Sequence, residues 1–76
     1  MKTIENKKPI AAYYDNYIGA IIDSGKDEFG QWFRLDSDGI RESHELIFLF
    51  TKTDIKNCQK QLNANISPST KILLNI

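Results

Sequence analysis

Covalent catalysis needs a nucleophile, a base beside it and a group that orients the base. The residues able to serve are few in this chain: Cys58 is its only cysteine and His44 its only histidine, with Ser43 next to it. Consecutive strand residues point to opposite faces, so Ser43 and His44 cannot meet within one strand. Cys58 falls on the apolar side of a helical pattern, where a thiol packs as a small hydrophobe. A dyad of His44 and Cys58 would have to be assembled by tertiary contact, and nothing local supports it. The carboxylates are spread over loop-like segments, as solvated surface is. We therefore assign no catalytic, cofactor-binding or metal-binding residues and expect a non-enzymatic protein.

Calcium is the nearest metal match. In a twelve-residue loop starting at Arg34, Asp36, Asp38, Gly39 and Glu45 occupy positions 3, 5, 6 and 12 of the EF-hand pattern. Arg34 stands where the first carboxylate should coordinate, and the flanks read as strands instead of helices. The same residues make better sense as a turn. One His and one Cys also cannot complete a tetrahedral zinc site.

Binding surfaces offer more. Lys52, Lys56 and Lys60 recur at i, i+4 and i+8, with Asn57 and Gln61 among them. Such a basic stripe could follow a phosphate backbone, and a nucleic-acid-binding domain is the alternative function. Against it, residues 9–50 carry eight acids and three bases, a net −5 that would repel phosphate, while the whole chain is neutral. Trp32 and Arg34 share one strand face, and this pair of residue types is enriched in interface hot spots. Trp32, Arg34, Lys52, Lys56 and Lys60 are accordingly the candidate interaction residues.

Positioning those residues requires a small fold. A chain of 76 residues forms one domain at most, and a domain of this size buries only about 60% of its unfolded surface. A lone cysteine excludes an internal disulfide, leaving a well-packed core or a partner as support. Residues 1–8 read as a polar leader that Ile4 could anchor, and 9–76 as the domain. The longest apolar run is Leu46–Phe50, far short of the ~20 residues of a membrane span. The free thiol and the polar start of the chain point to a cytoplasmic protein.

β-branched and aromatic residues predict a strand over 17–22, with Gly19 marking a bulge or a close backbone approach. Residues 10–14 stay open between strand and helix, as does the whole of 10–22, because Ala11, Ala12 and Ala20 tolerate a helix. Asp15-Asn16 is a turn, Asp23–Gly30 a long loop, and Gln31–Leu35 a strand with Phe33 and Leu35 facing inward. Asp36-Ser37-Asp38-Gly39 predicts a two-residue type I′ hairpin leading to a strand near Ile40. Over 44–50 every position of Leu46–Phe50 is apolar, which suits a central strand covered on both faces by this chain or by a second subunit. A buried helix over 41–50 fits the same run.

The clearest helix lies at 53–63, capped by Thr51 or Thr53, with Asp54 in its first turn. Ile55, Cys58, Gln59 and Leu62 lie on one face, and Pro68 bars continuation. Thr70–Ile76 reads as a final strand with Ile72, Leu74 and Ile76 inward. The expected fold is thus α+β: a small antiparallel sheet of four to five strands with one amphipathic helix before the last strand. A partly open barrel plugged by that helix is the variant. Its expected core is Ile18, Ile21, Phe33, Leu35, Leu46, Phe48, Ile55, Leu62, Ile72 and Leu74. The expected function is a small interaction or regulatory module that self-associates as a homodimer, with neither membrane nor cofactor and a protein target the sequence does not name.

Overall fold

The computed structural model describes residues 8–76. Of the leader over 1–8, Lys8 is described and exposed, and the rest, Ile4 included, lies outside the described residues. Five strands come first: β1 (Ala11–Tyr14), β2 (Tyr17–Asp27), β3 (Gly30–Leu35), β4 (Gly39–Glu42) and β5 (Ile47–Leu49). A 3₁₀ turn, Ser43–Glu45, separates β4 from β5. Two helices follow, α1 (Lys52–Leu62) and α2 (Pro68–Leu74). All strand pairings are antiparallel, in the order β4-β3-β2-β1-β5. The α+β class and the small antiparallel sheet are as expected, but both helices come after the last strand.

Two sheets' worth of pairing share one long strand. Tyr17–Ala20 of β2 pair with β1, and Ile21–Asp27 pair with β3. The register shifts between Ile21 and Asp23, where Ile22 is the extra residue of a bulge. A bulge bends its strand and sharpens the twist. Here it folds the β2-β3-β4 half over the β5-β1-β2 half, until the rings of Phe33 and Phe48 meet edge to face at 4.9 Å. β4 and β5 remain the two edges, so the sheet is bent but open.

The fold is three-layered as a consequence. Alternation along β1 sends Ala11 and Tyr13 toward the helices and Ala12 and Tyr14 between the two halves of the sheet. The helix-side core joins Ile18, Ala20 and Leu49 to Ile55, Cys58, Ala64 and Leu74. The other core joins Ala12 to Phe33, Leu35 and Leu46, with Ile21 and Phe48 packed against it. Alanine at 11, 12 and 20 keeps the middle layer thin, so material on both sides can approach it. Of the expected core, Leu62 and Ile72 are exposed instead, and Ile21 and Phe48 are only partly buried.

Four local expectations need correction. First, the type I′ turn is at Asp15-Asn16, where both residues have positive φ and Tyr14 pairs with Tyr17. Asp36-Ser37-Asp38 is a three-residue loop closed by the Leu35–Gly39 pair, with Gly39 at φ 74. The chain leaves this loop through a left-handed residue, a conformation glycine supplies at no steric cost. Second, Asp23–Gly30 is not a loop. Its first five residues extend β2, Asp27 Oδ1 accepts the Phe29 N–H, and the hairpin turns at Glu28-Phe29.

Third, Leu46–Phe50 is neither a central strand nor a helix. Residues 43–45 are 3₁₀, and β5 is a three-residue edge. Leu49 is buried in the helix-side core and Phe48 packs against the inner one, while Ile47 stays half exposed. Fourth, Thr70–Ile76 is helical up to Leu74, not a strand. Ser67 caps α2 by accepting the Thr70 N–H, and Pro68 holds the first turn, where it has no hydrogen bond to lose. The proline that bars α1 from continuing also starts α2. The α1–α2 connection fills the free side of β2: Ile18 N–H donates to Asn65 O and Asn65 N–H to Asn16 O.

Candidate functional site

Among the described residues no group of three His, Cys, Asp or Glu is gathered to hold a metal. Two acids of the calcium-like pattern, Asp36 and Glu45, have other partners, whereas Asp38 Oδ2 is buried without a hydrogen-bond partner among the described residues. Asp36 Oδ1 accepts the Ala20 N–H at 2.7 Å, and Asp36 Oδ2 accepts the Thr70 hydroxyl at 2.6 Å. Glu45 accepts the Glu42 N–H within the 3₁₀ turn. Asp36 is therefore a tie between the β3–β4 loop, the middle of β2 and α2.

The thiol and the imidazole are not brought together. His44 is exposed on the 3₁₀ turn, whereas Cys58 is buried on the core side of α1. Burial pushes the Cys58 thiol above its ordinary value of 9.0. The unfolded chain then releases this proton first as pH rises, so the thiol's contribution to stability is whole below pH 9 and falls above it. A neutral, buried thiol is a poor nucleophile. Alkylation of Cys58 by iodoacetamide at neutral pH is expected to run at least about tenfold slower in the folded protein than in urea. Equal rates in the two states would contradict this burial.

Trp32 and Arg34 do share the outward face of β3, while Phe33 and Leu35 point inward. Trp32 is half-buried because its ring lies over Gly25, its partner on β2. A Cβ at Gly25 would sit 2.6 Å from Trp32 Cε2, with Cζ2 closer still and Nε1 at 2.9 Å. Gly25→Ala should therefore displace the indole. The expected readout is a red-shifted Trp32 emission, clean because this is the only tryptophan, with a loss of about 1–3 kcal/mol. An unchanged spectrum would mean the ring does not rest there.

Lys52, Lys56 and Lys60 are all exposed on α1. They stand on the helix layer, whereas Trp32 and Arg34 stand on the far side of the folded sheet. The five candidate interaction residues thus form two separate surfaces. Arg41 adds a cation over the Tyr14 ring, 4.5 Å from its centre. No helix among the described residues is long and apolar enough to cross a membrane.

What the sequence did not single out is a groove of about 430 Å³ between β5 and α1. Ile47 and Leu49 form its sheet side, Cys58 and Leu62 its helix side, with Asn57 and Gln61 along the rim. Ile47 is 51% exposed and Leu62 44%, so two large apolar side chains of the groove face solvent. The junction behind it is firm: Asp54 Oδ2 accepts the N–H groups of Phe50 and Thr51, and Thr51 Oγ1 accepts the Asp54 N–H. The signal available in the sequence was the apolar Ile47, but its exposure depends on β5 being an edge. A second cleft, about 540 Å³, opens between the sheet halves over Ile21, Phe33, Phe48 and Phe50. A third apolar surface lies on α2, where Ile72 and Leu73 are exposed.

Compared with known proteins, the chain significantly matches no family model, no curated protein and no solved structure.

Proposed function

We propose that this chain is a non-enzymatic interaction module that works as a pair of identical copies in the cytoplasm. One observation carries the reading. A sheet edge bearing only Ile47, Phe48 and Leu49 borders a groove in which two large apolar side chains, Ile47 and Leu62, are exposed. Large side chains of this type gain about 25 cal/mol per Å² when removed from water, so an uncovered cluster favours association. An all-apolar central strand does not motivate pairing, because β5 is not central, and neither does an apolar C-terminal strand, because Pro68–Leu74 is helical. The edge takes their place. The compartment is inferred from the unpaired Cys58 alone.

Sedimentation equilibrium across the micromolar range tests the reading. The expected species has twice the monomer mass of 8.7 kDa, and a strict monomer overturns it. The exposed Lys52, Lys56 and Lys60 stripe supports a second reading, nucleic-acid binding. Its signature would be a mobility shift of random DNA at low salt that disappears at high salt. No shift at low salt would end it.

A further inference from the structure

The two edges of the sheet are not alike. β4 carries Arg41 and Glu42, charges of the kind that keep an edge strand from pairing. β5 carries no charge and no proline. Among the described residues its only protection is its length of three residues. So short an edge forms few ladder hydrogen bonds, and side chains must supply most of any association.

They are placed to do so. Ile47 and Leu49 both point to the helix side of the sheet, Leu49 buried and Ile47 exposed. Suppose a second β5 pairs antiparallel with the first about a two-fold axis at Phe48. Residues facing each other then satisfy the same sum, so Ile47 stands opposite Leu49 of the partner subunit. The exposed Ile47 side chain enters the groove of the other copy, bounded there by Leu49 and Leu62 of the partner subunit, and symmetry repeats the contact. An apolar knob and an apolar groove on one edge are what a self-complementary, two-fold contact requires.

Charge on α1 favours a copy over a foreign partner at this edge. At 100° per residue, Asp54, Asn57 and Gln61 fall on one flank of the helix and Lys52, Lys56 and Lys60 on another. The first flank lines the β5 groove, while Lys56 and Lys60 border a second hollow with Thr53 and Gln59 that adjoins the groove at Asn57. Two copies meeting edge to edge present mainly neutral amides to each other, and their lysine stripes stay apart. An acidic partner would be drawn to the lysine flank instead.

We infer that the β5 edge and its groove form the self-association surface, occupied by the same edge of a second copy in antiparallel register about Phe48. This rests on the pairing reading above. The test is sedimentation of wild type, Ile47→Lys and Leu73→Lys, with folding checked by circular dichroism. Ile47 is half exposed, so lysine there spares the core. Ile47→Lys is expected to weaken association by roughly a hundredfold, a hot-spot-sized loss, while Leu73→Lys on α2 leaves it unchanged. A methyl–methyl Overhauser contact between Ile47 and Leu49 of the partner subunit, seen only in mixed labelled and unlabelled wild-type protein, is expected as well. That measurement needs no variant. A monomeric wild type overturns the pairing reading itself. A dimer that survives Ile47→Lys, that Leu73→Lys disrupts, or that lacks the intersubunit contact overturns this interface alone.

Discussion

Asp36→Ala is expected to cost about 3 kcal/mol of stability, since hydrogen bonds to a charged group contribute about 1.5–3 kcal/mol each. The carboxylate serves two buried donors at once. Ala20 is 4% exposed, and its N–H faces away from β1, because the ladder bonds of that pairing fall on its neighbours, such as Ile21 N–H to Ile10 O. Thr70 is fully buried, and its hydroxyl lies between Asp36 Oδ2 and Ser67 Oγ, 2.8 Å away. Removing the carboxylate strands the amide and leaves Thr70 with Ser67 alone. The Asp36 backbone holds the same place, donating its N–H to Ala20 O at 3.0 Å, so the loop should stay paired while α2 loosens.

Asp36→Asn separates the two contributions. The amide oxygen can still accept from Ala20, but the amide nitrogen cannot accept from Thr70. About half the stability should return. Urea unfolding at one fixed, low protein concentration measures both variants free of mass-action effects from pairing. A cost below about 1 kcal/mol for Asp36→Ala would show that the tie contributes no more than an exposed hydrogen bond. Thr70→Val, which keeps the volume and removes the hydroxyl, is the complementary probe and should loosen α2 specifically.

Asp36 also shows what a sequence can and cannot disclose. Its turn was legible, because Asp-Ser-Asp-Gly is turn chemistry wherever it occurs. Its partner was not, because Thr70 is 34 residues away and looked like the start of a strand. The same division runs through the chain. Phe33 and Leu35 alternate with Trp32 and Arg34, and Thr51 with Asp54 forms a local cap, so β3 and α1 could be read directly. The second half of β2 could not. Asp23, Ser24, Gly25, Lys26 and Asp27 are poor strand formers one by one. They are held extended by pairing with Gly30–Arg34, and Gly25 serves as the bed for an indole.

The candidate site was hidden for a related reason. An apolar run does not reveal whether its strand will be central or an edge, and Ile47 is exposed only because β5 ends the sheet. Nor do the alanines announce their role. Ala11, Ala12 and Ala20 tolerate a helix in isolation, yet their small size is what lets helices pack on one side of the middle layer and the folded sheet on the other. Those are facts of assembly, not of local preference.

Ile55→Ala should be the most damaging single truncation, at about 3–4 kcal/mol, since removing three buried carbons costs both their transfer energy and a cavity. Ile55 is fully buried and is the α1 side chain seated deepest among Ile18, Leu49 and Leu74. Stability near 0.05–0.15 kcal/mol per residue leaves a domain this small roughly 4–11 kcal/mol in all. The variant should therefore melt about 15–25 °C lower. Leu62→Ala, on the same helical face two turns along, is the informative contrast. Leu62 is 44% exposed and has little cavity to leave, so its truncation should cost no more than about 1 kcal/mol. The sequence places both residues on one apolar face, but only the first turns of that face are docked. If unfolding of the dilute monomer shows equal losses for the two variants, α1 is docked along its whole length and the β5 groove is closed. If Leu62→Ala spares the monomer but weakens pairing, the C-terminal end of α1 is a surface kept for the second copy.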